Sequence, residues 1–266
     1  EACDTARMNT TSRGGFHVHV QSPDFGGETD EAQQRVHNLA RLYVHFQDAI
    51  DRLVGKSRVH NHFCAKFGTM PTRSELVNLF RLDQTATSRL SAKGARSTKV
   101  INFAMCRTQN KSHRSIEFRQ GSPSKQFACV WGWTVFVVAL TEIAARDDFN
   151  LPEDRSLDSL LSLLRAYERD SGATKIAKWV LWRDDYMNRP PTDDEVNKVV
   201  ASANGRPRGI FHLSRQAELN LPLTQRAADE AVRRGLLSKV GNNRWVSAYS
   251  QSQGPSDLSQ LLAQLS

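Results

Sequence analysis

Cysteine is scarce and scattered. Cys3, Cys64, Cys106 and Cys129 form no close pair in 266 residues, which excludes a disulfide framework and reads as reduced thiols. No signal-peptide pattern opens the chain, which begins at Glu1 without a methionine, and the expected compartment is the cytoplasm. There is no internal repeat. Nor is there an uninterrupted apolar run long enough to argue for a membrane span. The most apolar stretch, Phe127 to Ala145, is broken by Gly132, Thr134, Thr141 and Glu142, and is expected to be a buried core helix. Zinc-like spacing is also missing. His60, His62 and Cys64 alternate, but no second cluster supplies a fourth ligand, so a loop lining a pocket is the simpler reading.

What is present is a basic surplus and a usable core. The formal net charge is +8, the pI about 9.6, and hydrophobic residues make up 39% of the chain. That charge favours anionic partners such as nucleotides, nucleic acid or acidic polypeptides. The length allows one large domain, or one of about 200 residues with a small appendage.

Two short stretches carry the chemistry. In Gly14-Gly15-Phe16-His17-Val18-His19-Val20, aromatic and β-branched residues alternate with histidines, as in a strand. Phe16, Val18 and Val20 then share a core face, and His17, His19 and Gln21 the opposite one. Paired imidazoles on an open face suit a metal ion, a phosphate or a proton transfer. In Arg114-Ser115-Ile116-Glu117-Phe118-Arg119, Ile116 and Phe118 point one way while Ser115, Glu117 and Arg119 point the other. A carboxylate and a guanidinium two residues apart on one face can hold a cation beside a phosphate.

Around these, helical spacing predicts a long helix from about Thr29 to Val54, a short one from Ser74 to Leu82, the apolar helix from about Gln126 to Arg146, and others over Arg155–Arg169 and Lys175–Tyr186. Trp179 and Trp182 in the last are expected to pack inward. Gln84 to Ser97 reads as a mobile basic loop, and Lys99 to Met105 as a strand. Arg189-Pro190-Pro191 is the best domain boundary, because Pro-Pro cannot continue a helix; Thr192 and Glu195 then form a capping box. Beyond it, a helix from Leu223 to Arg234 stops at Gly235. A hairpin is expected over Leu236–Val240 and Arg244–Val246, around Gly241-Asn242-Asn243. Helix then hairpin is the second half of a winged-helix unit. Arg226, Arg233, Arg234, Lys239 and Arg244 make it positive; DNA contact and a packing or protein-interaction role both fit. Residues 251–266 form a polar linker and a Leu-rich tail.

The His strand and the Glu-Arg strand, in this order, resemble the amidoligase family, carboxylate–amine ligases of glutamine synthetase-like fold. Ser12-Arg13-Gly14-Gly15-Phe16-His17-Val18-His19-Val20 is similar to that family's Gly-x-His-Val-His-Val strand. Arg58, Asn61 and Cys64 are similar to its Arg…Asn-x-(Tyr/Phe)-Cys segment, and Arg114 to Gln120 to its (Ile/Val)-Glu-Phe-Arg-Gln strand. The resemblance covers residues 12–150. It implies an α+β fold, a glutamine synthetase-like antiparallel sheet packed with helices over residues 1–189; the winged-helix-like domain over 190–250 would be an addition to the family core. It implies an ATP- and Mg2+-dependent ligase that phosphorylates a carboxylate and lets an amine attack the acyl phosphate. The acid and amine would be peptide, protein or small-molecule groups. His17 and Glu117 would be metal ligands and His19 would lie beside the nucleotide. Arg119, with Arg114, would steady the transferred phosphoryl group, and Gly14 and Gly15 would let substrate approach. Relatives that share sites between subunits leave an oligomer open. The family's first strand, with closely spaced glutamates, has no counterpart before residue 12, and Gly121-Ser122 replaces a Gly-Thr.

Two other functions use the same residues. A His-hydrophobic-His metal-dependent nuclease would attack DNA with Tyr43, Tyr167 or Tyr186, but leaves the Ile-Glu-Phe-Arg strand unexplained. A degenerate ligase fold would serve as a nucleic-acid or protein-binding module.

Overall fold

A computed structural model describes residues 15–21, 29–60, 101–102, 115–124, 126–203, 207–240 and 244–247. The expected helix over Ser74–Leu82, the basic loop over 84–97, His62, Cys64, Arg114, Gly14 and the tail from 251 lie outside the described residues. The fold is mixed α+β, with two small antiparallel sheets, and divides into two units, residues 1–183 and 184–266.

In the first unit, β1 (Phe16–Val20), β2 (Ile101–Asn102) and β3 (Ile116–Gly121) form an antiparallel sheet in the order β1-β3-β2. Period-2 alternation sends Val18, Ile116 and Phe118 into the core. Helix α1 (Asp30–His45) starts where Thr29 accepts the Ala32 N–H at 3.2 Å, and it buries Val36, Leu39, Ala40 and Tyr43. The single helix expected to Val54 is instead interrupted at fully buried Phe46 (φ −99°, ψ 16°), and the chain resumes as α2 (Gln47–Asp51). A one-turn helix, α3 (Lys56–Val59), follows.

Helix α4 (Phe127–Ala145) is long and apolar enough to cross a membrane by length and composition, yet 56% of its apolar window is buried inside the protein. Trp133, Phe136, Val137, Leu140 and Ile143 pack into the core with α1 and with Leu160, Leu161 and Leu164 of α5 (Leu157–Ser171). On α6 (Ile176–Asn188), Trp179 lies over Gly132 and donates from Nε1 to the Ala128 carbonyl at 2.8 Å. Trp182 does not pack inward; it is 39% exposed. The buried stripe of α6 runs through Ile176, Ala177, Val180 and Arg183 instead. Arg183 is accommodated by the Leu53 carbonyl at 2.8 Å and the free thiol of Cys129 at 3.2 Å.

The second unit contains α7 (Asp193–Ser202), β4 (Arg208–Gly209), α8 (Ile210–Ala217), α9 (Leu221–Arg233), β5 (Leu237–Lys239) and β6 (Arg244–Ser247). Its sheet order is β4-β6-β5, antiparallel throughout. Val196, Val199, Val200, Leu213, Ala227, Ala231 and Trp245 form a separate core. Helix α9 is capped by Asn220, whose Oδ1 accepts the Leu223 N–H at 2.9 Å, and it stops before Gly235 at φ +72°.

Candidate active site

Strands β1 and β3 are neighbours, and their register places His19 directly opposite Glu117. The alternation that sends Val18 and Phe118 inward therefore gathers His17, His19, Glu117 and Arg119 on the other face. Glu117 is the hub. Its Oε1 lies 2.8 Å from His17 Nδ1, 3.5 Å from Arg119 Nε and 3.9 Å from His19 Nε2. The Glu117 and Arg119 side chains are 11% and 14% exposed, against 36% for His17 and 54% for His19, so the site opens on the histidine side. A carboxylate this buried needs the cation and N–H groups that surround it. Ser115 Oγ sits 3.2 Å from His19 Nδ1 and fixes the second ring.

Burial pushes the His17 imidazole below its ordinary value of 6.5; Glu117 opposes this, while Arg119 and Arg58 reinforce it. A neutral His17 facing a carboxylate must donate from Nδ1, which leaves Nε2 carrying the lone pair. The unfolded chain then takes up a proton before folded His17 does. The contribution of His17 to stability is fully present above about pH 6.5 and is lost as pH falls below that value. An NMR titration of the His17 ring is expected to give a midpoint below 6.5, and Arg119→Gln to raise it; a midpoint at or above 6.5 in the parent contradicts the arrangement.

Arg58, from α3, belongs to the site although it received no role in the sequence. It is buried and donates from Nη2 to the Arg119 carbonyl oxygen. The space over Gly15 is taken by this guanidinium: an added Cβ would lie 2.9 Å from Arg58 Nη2 and 3.0 Å from His17 Nε2. On the core face of β3, fully buried Gln120 accepts from Tyr43 Oη at 2.8 Å and donates to Asp51 Oδ1 at 2.5 Å, which also accepts from Gln47 at 2.8 Å.

Of the tyrosines that a nuclease would use, Tyr43 lies on the face of β3 opposite the histidines, buried and bonded to Gln120. Tyr167 is bonded to Glu142, and burial, with that bond, pushes its phenol up to about 12. Tyr186 belongs to the second unit.

Among the described residues no group of three or more His, Cys, Asp or Glu side chains is arranged to hold a metal ion. The donor chemistry nevertheless fits a cation that arrives with its phosphates: Mg2+ is commonly held by one or two carboxylates, with substrate oxygens and water completing the shell. Glu117 supplies the carboxylate, and Arg119 beside it suits a phosphoryl oxygen. No family model, curated protein or solved structure matches the chain.

Proposed function

We propose that the chain is an ATP-dependent carboxylate–amine ligase, with a glutamine synthetase-like sheet in the first unit and a winged-helix-like second unit. The observation that carries the reading is the register that sets His19 against Glu117, so that two imidazoles, a carboxylate and a guanidinium share one face of one sheet.

ATP with Mg2+ would supply an activated phosphoryl group, making the substrate carboxylate open to attack by an amine. Glu117 and His17 would hold the cation. Arg119 would neutralise charge on the oxygens of the transferring phosphoryl group. His19, the most exposed member, would flank the nucleotide. No side-chain nucleophile is needed, because phosphoryl transfer depends on positioning and charge stabilisation. The acid and the amine would be groups of a peptide, a protein or a small molecule, in the cytoplasm.

The winged-helix-like reading is supported by the element order of the second unit, helix–strand–helix–helix–hairpin, with β4 paired to β6. Its charges give less support to DNA binding. Residues 184–266 hold ten Lys and Arg against nine Asp and Glu. Arg226 is engaged by the carbonyls of Tyr186, Met187 and Arg189, while Arg233 and Arg234 pair with Glu230.

The test is a melting curve of the full chain with ATP and Mg2+. At nucleotide concentrations about 100 times Kd the stabilisation is about 2.7 kcal/mol. That raises Tm by roughly 8 °C in a chain of this size. Glu117→Ala is expected to fold and to lose the shift. An unresponsive parent removes the ligase reading.

A further inference from the structure

The pairing of β1 with β3 is irregular at one place. Val18 faces Phe118, but Phe16 faces Gly121, so two residues of β3, Arg119 and Gln120, oppose the single residue His17. That is a β-bulge, a device that bends a strand and re-aims a side chain, often beside a functional site. The bulge is gripped from both faces. On the core face, Gln120 is bonded to Tyr43 and Asp51. On the other face, the Arg58 guanidinium donates to the carbonyl of Arg119, and the missing Cβ of Gly15 leaves room for it. Arg58 is itself anchored from the same end of β3, because the N–H of Gly55, the N-cap of α3, donates to Ser122 Oγ at 2.8 Å.

We propose that Arg58 is a positioning residue of this site: through its bond to the Arg119 carbonyl it holds the bulge in β3 and so aims the Arg119 guanidinium at Glu117. A regular strand has no extra residue at this point, and the side chain of residue 119 would leave the backbone in another direction. The grip keeps Arg119 Nε 3.5 Å from Glu117 Oε1, where the two groups present a cation and a carboxylate to the same ligand. A buried guanidinium suits this task better than an ammonium, since its planar fork can reach the carbonyl and still keep charge near His17. The functional part rests on the reading of Arg119 as the residue that steadies a phosphoryl group; the bulge and its lock do not.

The experiment is hydrogen–deuterium exchange of the full chain, reading the peptide over residues 115–122 with α5 as an internal reference, with and without ATP and Mg2+. Losing a hydrogen bond from a charged donor is expected to speed local opening about tenfold. Arg58→Met should therefore exchange about tenfold faster in 115–122 and unchanged in α5, and should lose the nucleotide response while still folded. Arg58→Lys, which retains one charged donor, should restore protection in part. Unchanged exchange in 115–122, or an equal rise in α5, overturns the proposal. If Arg58→Met does not fold, Gly15→Ala, which crowds the guanidinium, should quicken the same peptide, and no change there overturns it. A parent blind to ATP ends the ligase reading and leaves the exchange result standing. Arg58→Met that loses protection yet keeps the full nucleotide response ends the positioning role alone.

Discussion

Gly132→Val is expected to destabilise the first unit by about 3 kcal/mol, at the upper end of the cost of overpacking a core. A Cβ at position 132 would collide with Nε1, Cδ1 and Cε2 of Trp179, none of which can retreat without moving α6. The indole is fixed by its bond to the Ala128 carbonyl and by its packing against Phe136, with ring centroids 5.9 Å apart. Valine gains roughly 0.5 kcal/mol in helix propensity over glycine, too little to offset the clash. The Tm should fall by roughly 9 °C in a chain of this size. The interpretation is checked by a double-mutant cycle. Gly132→Val in a Trp179→Ala background should cost much less than in the parent, because the colliding ring is gone. Additive losses would show that the glycine is there for another reason.

The two site strands could be read from the sequence because their alternation is local. His17 and His19 against Phe16, Val18 and Val20, and Glu117 and Arg119 against Ile116 and Phe118, each define two faces within one strand. What the sequence could not state is the register between strands almost a hundred residues apart. Pairing His19 with Glu117, and placing a bulge at Arg119 and Gln120, depends on contacts that have no local signature. Arg58 was visible only as part of a motif. Its role comes from packing over Gly15, and that follows from the approach of α3 to β3. The break at Phe46 was hidden for a similar reason. Apolar spacing runs on without a gap from Val36 to Leu53, while the bonds of Gln47 and Asp51 to a polar cluster under β3 sit with the separate turn. Spacing from Trp179 does not identify the buried face at Trp182. The stripe actually passes through Arg183, a residue type rarely counted as core. Strand β4, two residues long, is too short to show any period at all.

The capping box at Thr192 and Glu195 was equally local, and its consequences are larger than a cap alone. The Thr192 N–H donates to Glu195 Oε2 at 2.9 Å, and the Glu195 N–H to Thr192 Oγ1 at 3.4 Å. Both Glu195 oxygens are also taken by Arg189, at 2.9 and 2.6 Å, in a bidentate pair across Pro190-Pro191. The Arg189 guanidinium beside it, reinforced by the Thr192 N–H, holds the Glu195 carboxyl down to about 2, below its ordinary 4.5. A depressed carboxyl stabilises the folded state fully above the unfolded value, and the contribution is lost as pH falls from about 4.5 through about 2. Arg189 is partly exposed, so solvent screens part of the pair. Glu195→Ala is therefore expected to lower the local stability of α7 by about 2 kcal/mol at pH 7, combining the cap and the pair. Glu195→Gln keeps an acceptor for the cap and removes the charge, so about half that loss should remain. Amide exchange over residues 193–203 in the full chain reads both, as a rise of about thirtyfold and about sixfold in opening. The gap between parent and Glu195→Gln should close as the buffer is taken from pH 5 toward pH 2, because the parent carboxyl is then protonated as well. A gap that stays constant across that range would mean that the ion pair contributes nothing, and that α7 starts at Thr192 on its hydroxyl alone.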